Sequence, residues 1–305
     1  MNAEAEIHAG ERFEFGENWS TFLHTVDGER IRAAEGSLIA MLGMDDLGGI
    51  RFLDVGSGSG LFSLAARRLG ATVLSFDYDP KSVACTAELK RRYYAGDTQW
   101  DVRQGSVLDP EFLQTIGLFD VVYAWGVLHH TGAMWQAMEN VAALVADGGR
   151  LFISIYNDQG GASRRWAAVK KLYCHSPRPV RWGLLAAVAA FFEGRGLAYR
   201  LLVPRRFRAA ATTSRGDTRG MSRRYDLKDW VGGYPFEVAT PDAVFDFYSA
   251  RGFTLRRLAT AGGGHGCNQY VFAKDLAHAH ARPASPADHA VRREEWADSA
   301  NVAVG

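Results

Sequence analysis

Between residues 50 and 155 the chain alternates short apolar runs with helix-like segments, and that rhythm leaves few folds open to it. Strands are expected at 50–55 (IRFLDV), 71–76 (ATVLSF), 100–104, 119–123 (FDVVY) and 150–155. Helices are expected at 61–69, 80–94 and 134–145. A strand that returns to a parallel neighbour needs a crossover, and repeated helical crossovers build a sheet covered on both faces. The rhythm stops at Gly160 and resumes with a helix over 241–250, behind Thr240 as a candidate N-cap. Two further strands, 254–258 and 268–273, follow. The expected fold is α/β: a doubly wound, mostly parallel, seven-stranded Rossmann-like sheet with a helical insertion after the fifth strand.

The same reading divides the chain. Residues 1–47 form a helical segment expected to cover the site, with Phe13, Phe15, Trp19, Phe22 and Leu23 ahead of Ile31, Ala34, Leu38, Ile39 and Leu42 at helical spacing. Residues 48–159 are the core, 160–238 a basic insertion, and 239–275 the end of the core. Residues 276–305 are rich in Ala, His, Pro, Arg and Asp without periodicity and are expected to be disordered.

The overall net charge of +1 conceals an asymmetry. From Gly160 to Tyr225 there are fifteen Lys or Arg against two acids, Glu193 and Asp217, a local excess of +13. Such a block either meets something anionic or forms a solvated face. The first residues, MNAEAEIHAGERFEF, lack a basic start followed by an apolar run, so a signal peptide is not expected. The longest uncharged apolar run, 182–192, is eleven residues, short of the roughly 20 that cross a bilayer. Three scattered cysteines, Cys85, Cys174 and Cys267, form no CxxC pair and fit a reducing, cytoplasmic setting.

The sharpest local signal is Leu53-Asp54-Val55-Gly56-Ser57-Gly58-Ser59-Gly60, a glycine turn between a strand and a helix. Glycines let the backbone turn tightly and approach a ligand, while the helix start offers unpaired amides. Dinucleotide-binding domains use G-x-G-x-x-G against a pyrophosphate. Here the spacing is G-x-G-x-G behind the acid Asp54, which repels a pyrophosphate and suits a ligand end bearing an ammonium and a sulfonium. Asp77 follows seventeen residues after Gly60, at the end of the second strand, where a carboxylate can accept from both hydroxyls of a ribose. The plainer roles are a turn cap for Asp54 and a local turn before Pro80 for Asp77.

With LDVGSGSG (53–60), FDYDP (76–80), QGSVLD (104–109), FDVVYAWGVLHH (119–130) and GGRLFIS (148–154), the chain resembles the class I S-adenosylmethionine-dependent methyltransferases, and within them the group that includes the quinone-biosynthesis enzymes. The resemblance covers about 45–160 and, more loosely, 240–275. It implies S-adenosylmethionine as cofactor and S-adenosylhomocysteine as product. Gly56, Ser57, Gly58 and Gly60 would line the methionine end, and Asp77 would hold the ribose. Tyr78 would flank the adenine, which Ser106 and Val107 would meet, and Trp125 and Gly126 would lie on the other side. Ser106 departs from the acid that many relatives carry there.

Methyl transfer needs alignment above all, worth up to roughly 7–11 kcal/mol, and in some cases proton removal. Candidates therefore belong at the carboxyl edge of the sheet. His129 and His130 follow the fourth strand, and an imidazole can take a substrate proton near neutrality. His129 is the preferred base or orienter; the plainer alternative is a helix cap or packing against Trp135. Tyr156 and Asn157 follow the fifth strand as substrate contacts. In the insertion, Arg223, Arg224, Tyr225, Trp230 and Tyr234 suit recognition of an anionic group by paired guanidiniums beside aromatics. His265, in a glycine-rich turn, is a further candidate. The strand ends lack an Asp…Asp-Asn arrangement, so no metal is expected.

The function expected is methylation of an O, N or S atom of a small metabolite, anionic or carrier-linked. One alternative is an RNA-modifying methyltransferase using the basic block, although there is no appended RNA-binding module and no aromatic stacking platform, which argues against a nucleic-acid substrate. Another is a membrane-surface protein that lays 182–192 in an interface as a peripheral contact. The sequence does not set the oligomeric state; a homodimer is compatible with it.

Overall fold

A computed structural model of the chain describes residues 3–202, 230–262 and 266–276. Seven strands form one sheet: β1 Arg51–Val55, β2 Thr72–Asp77, β3 Trp100–Gln104, β4 Phe119–Trp125, β5 Val145–Tyr156, β6 Phe253–Ala259 and β7 Cys267–Lys274. Their spatial order is β3-β2-β1-β4-β5-β7-β6. β1 to β5 pair in parallel, whereas β7 runs antiparallel between β5 and β6. The order reverses between β1 and β4, and ligand crevices of open α/β sheets form outside the carboxyl ends of strands at such a switch.

The helices are α1 Ala3–His8, α2 Phe15–Phe22, α3 Gly28–Leu42, α4 Leu61–Arg68, α5 Pro80–Tyr93, α6 Pro110–Ile116, α7 Met134–Ala143, α8 Gly161–His175, α9 Arg178–Leu202 and α10 Pro241–Ser249. Local chemistry sets their starts. Asp79 and Asp109 accept backbone amides ahead of Pro80 and Pro110, where a missing N–H costs nothing. The amide of Met134 in α7 is met from afar by the Glu237 carboxylate at 3.0–3.1 Å. Helix α6 was not expected from the pattern, though Asp109-Pro110-Glu111 carries a start signal.

Two apolar layers clasp the sheet. One gathers α7, α10 and the strand faces around Val122, Ile153 and Phe272. The other joins α3, α4 and α5 around Leu38, Phe52 and Trp100. A third, smaller cluster lies under the insertion, with Phe13, Tyr173, Cys174, Val188 and Val231. The expectation of a doubly wound, mostly parallel sheet holds. Strand β5 starts at Val145, ahead of the 150–155 expected, and takes in Gly148 in the left-handed region (φ 76°) near the register shift against β4. Among the described residues, no helix is long and apolar enough to cross a membrane. Arg223, Arg224, Tyr225, His265 and the tail from 277 lie outside the described residues.

Candidate active site

Outside the carboxyl ends of β1, β2, β4 and β5 lies a cavity of about 830 Å³. Its floor is the glycine turn. Gly58 sits at φ 56°, and a Cβ there would come within 3.0 Å of the Trp19 indole. Its amide donates to the Asp77 carboxylate at 2.9 Å. Gly60, at φ 79°, is the N-cap of α4, and a Cβ would press on Thr86 at 2.9 Å. The Ser57 hydroxyl is held by Thr86 at 2.9 Å, so the turn is pinned to α5 as well as to β1.

Two carboxylates border this turn. Asp54 is 2% exposed, and one oxygen is engaged by the Ser63 hydroxyl. Ser75 and then Trp100 extend the chain of bonds. Burial pushes its carboxyl up to about 7, against the pull of Ser63 and with help from Asp77. Burial likewise raises Asp77 to about 6, although the amides of Asp79 and Gly58 both favour its charged form. Asp77 thus forms the local turn to Asp79 and also faces the cavity; the two roles are not exclusive. Both acids are poorly solvated, and a cation brought to them would favour their ionised forms.

Tyr78, Ser106, Val107, Trp125 and Gly126 all line the cavity. Ser106 caps its own turn by accepting from the Leu108 amide at 3.1 Å. Trp125 is fixed by its indole N–H to Gln269 Oε1 at 3.1 Å, and the Gly126 amide by Ser154 Oγ at 2.8 Å.

The stretch of lining after β4 carries the histidines. They occupy the one-turn helix Leu128–His130, both buried and both on the cavity. His130 Nδ1 meets the Pro235 carbonyl at 2.7 Å. His129 is 0% exposed, and neither of its ring nitrogens has a hydrogen-bond partner. Such an orphan is costly unless a ligand satisfies it. Its ring lies 4.1 Å from Tyr156 and 4.5 Å from His130, and Trp135 instead packs on Phe247. Burial, then His130 and Lys170, hold His129 well below the usual histidine range. The Ser154 backbone opposes them without a bond of ordinary geometry.

Trp230 and Tyr156 also line the cavity. Asn157 and Tyr234 do not. Asn157 bridges to Ala239 and accepts from Asn268 at 3.1 Å, holding β5 to the last hairpin. Tyr234 lends its carbonyl to the Phe13 amide at 2.8 Å and packs in the third cluster. These two polar groups serve the fold, which neither Asn157's place after a strand nor Tyr234's place in an aromatic-rich insertion distinguishes from a site role.

Sequence reasoning missed three contributors. The segment before α2 supplies Glu6 and Arg12 to the wall, beside Phe15 at the start of that helix. Arg12 pairs with Glu6 at 2.6 Å, lies 5.0 Å over the Tyr78 ring and donates to the His130 carbonyl at 3.0 Å. The Gly16 amide donates to Asp79 at 2.9 Å, tying this strap to the cap of α5. The β6–β7 hairpin adds Ala259 to Ala261, Cys267 and Gln269. Lys170 stands behind Tyr156. Trp19 both walls the cavity and packs 5.9 Å from the buried Phe22, so covering the site and packing the core coincide there. Among the described residues, no group of three or more His, Cys, Asp or Glu is placed to hold a metal ion.

Residues 53–151 match the model of a family described as a methyltransferase domain. A ubiquinone biosynthesis O-methyltransferase of Xanthomonas oryzae pv. oryzae is 38% identical over 112 residues, which cover 37% of this chain and 45% of the relative. Its counterpart from Xanthomonas euvesicatoria pv. vesicatoria is 36% identical over the same length and shares. The chain therefore spans less than half the length of these relatives. Among solved structures, the magnesium protoporphyrin IX methyltransferase from Synechocystis PCC 6803 aligns over 81% of this chain and 83% of that one, at a TM-score of 0.47 and 16% identity.

Proposed function

With a methyltransferase domain of the class I type over residues 53–151 as premise, we propose that the chain binds S-adenosylmethionine on the glycine floor and methylates an oxygen of a small molecule held against the histidine wall. The observation that carries this reading is the lining of one cavity, which brings together desolvated carboxylates, Asp54 and Asp77, and an imidazole with two unpartnered nitrogens. The residues fit such a cofactor. Asp54 suits an ammonium, the Gly58 turn leaves room for a close approach, and Asp77 faces the cavity where two sugar hydroxyls can be accepted. Tyr78 and Val107 offer flanking surfaces for a base. Bound there, the cofactor supplies an electrophilic methyl group on a sulfonium sulfur. The chain's part is to align the acceptor, keep water out behind Phe15, Trp19 and Trp230, and offer His129 to the acceptor's hydroxyl. Oxygen is preferred over nitrogen or sulfur because the O-methyltransferase relatives share this core.

Calorimetric titration with S-adenosylmethionine, followed by a metabolite screen for S-adenosylhomocysteine release, tests the reading. Failure to bind the donor, with tight binding of a nicotinamide dinucleotide instead, would overturn it. Asp77→Ala removes a charged acceptor and frees the Gly58 amide; it should weaken binding at least about 30-fold, from roughly 2 kcal/mol or more for a truncated charged pair.

Binding should also depend on pH. In the free protein Asp54 and Asp77 hold protons up to about 7 and about 6, above their ordinary value of 3.8. These raised values mean that the folded state binds more protons than the unfolded chain, so the pair's contribution to stability falls as pH rises from about 4 to 7. A cationic ligand reverses the balance by favouring both charged forms. Affinity should therefore rise by about tenfold between pH 5.5 and 7.5, with proton release at the acid end seen in the buffer dependence of the binding enthalpy. A flat profile would show that neither acid meets the ligand's charge.

A further inference from the structure

Lys170, on α8, is 0% exposed, a rare state for a lysine unless its charge is met. Its ammonium lies 4.8 Å from the Phe236 ring centre, 5.3 Å from Trp230 and 5.6 Å from Tyr156, and it donates to the Trp230 carbonyl. Three ring faces and a carbonyl all favour the cation. Two of those rings, Tyr156 and Trp230, line the cavity, whereas Lys170 does not. The charge thus sits one layer behind the wall, and Tyr156, 4.1 Å from His129 and 5.5 Å from His130, stands between.

We propose that Lys170 is a positioning residue for the acceptor: its caged charge, added to the burial of the pair, keeps His129 and His130 neutral, so that His129 meets an acceptor oxygen that arrives ionised or gives up its proton readily. The inference rests on the reading of the histidine wall as the acceptor side.

The surroundings of the pair support it. A histidine meant as a strong base is ordinarily backed by a carboxylate, and here, among the described residues, neither imidazole bonds one. Arg12, from the strap, reaches the His130 carbonyl, and Lys170 comes from α8. Glu237 spends its carboxylate on the Met134 amide and gives only its backbone N–H to the His129 carbonyl at 3.0 Å. The wall's acids, Glu6, Asp54, Asp77, Asp79 and Asp109, lie on α1, at the ends of β1 and β2, and in the turns after β2 and β3. Among the described residues, the side-chain charges that act on the two imidazoles, Lys170 and Arg12, are therefore positive. Burial and then Lys170 depress His130 to about 3, against the Pro235 carbonyl, with Arg12 adding to the depression. An imidazolium is disfavoured beside that charge and an oxyanion is favoured. The acceptor class is accordingly a carboxylate or an acidic enol or phenol, not an amine.

The test follows the imidazole resonances of the full chain, labelled with ¹⁵N-histidine and loaded with S-adenosylhomocysteine, from about pH 4.5 to 8.5. His129→Gln and His130→Gln assign the signals. In the wild type and in Lys170→Arg both rings should stay neutral throughout. In Lys170→Met at least one midpoint should climb by about one unit or more, so that a ring begins to protonate at the acid end of that range, with S-adenosylhomocysteine affinity unchanged. If the methionine variant fails to fold, Lys170→Gln makes the same comparison. Wild-type rings that titrate near the ordinary histidine value, or a Lys170→Met protein indistinguishable from the wild type, overturn the proposal. So does an amine at the head of the acceptor ranking in the release screen. The titration reads ionisation whether or not methyl transfer occurs, so its failure is distinct from failure of the methyltransferase reading.

Discussion

Replacing Gly58 by arginine should abolish S-adenosylmethionine binding, weakening it at least about 100-fold, or roughly 3 kcal/mol. Three effects add. The residue lies at φ 56°, a region that side chains rarely occupy, and the first carbon already meets Trp19 at 3.0 Å. The remaining atoms can go only into the cavity, and the guanidinium would place a positive charge where Asp54 and Asp77 otherwise await one. Calorimetry measures the loss. A melting curve of the free protein separates it from unfolding, because the glycine turn lies at the rim of the sheet and not within either apolar layer. A variant that still binds the donor with wild-type affinity would remove the floor from the proposed site.

His129→Ala should behave in the opposite way, sparing donor affinity while lowering turnover by about 10²-fold, the low end for a group that handles a proton in the transition state. The low end is expected because the ring is held neutral and well below the usual histidine range by its burial and its neighbours. Donor affinity should survive because the groups proposed to meet the cofactor, Asp54, Asp77 and the glycine turn, belong to β1, β2 and the turn between β1 and α4, whereas His129 belongs to the segment after β4. The split between an unchanged donor constant and a reduced kcat is the informative outcome. Equal loss of both would mean that truncating a fully buried ring has collapsed the wall, and unchanged turnover would reduce the histidine to scaffold.

Much of this was legible before any coordinates. The strands declare themselves because both faces of a parallel sheet are buried, which makes β1, β2 and β4 nearly continuous apolar runs. The floor declares itself because a tight turn between strand and helix requires glycine. The walls do not. Glu6 and Arg12 sit on a six-residue helix and the strap after it, too short for any period, and they are set by each other and by Tyr78 rather than by a pattern. Lys170 belongs to a stretch, Arg164 to Lys171, that reads as a solvated basic face; that one lysine turns inward only because Trp230 and Phe236 return from sixty or more residues later to enclose it. The basic excess suggested direct contact with an anionic ligand. Within the described residues, Lys170 of that block lies behind the wall, against Tyr156 and Trp230.

The strap has a consequence for how far this architecture can be taken apart. The stretch that carries the shared signature, 53–151, provides the floor and one flank, whereas Glu6, Arg12, Phe15, Tyr156, Trp230 and Gln269 come from outside it. A trimmed core could keep its sheet and still present an open trench. Conversely, grafting new walls from a cousin onto this floor would be the natural way to redirect the proposed acceptor without disturbing the proposed donor.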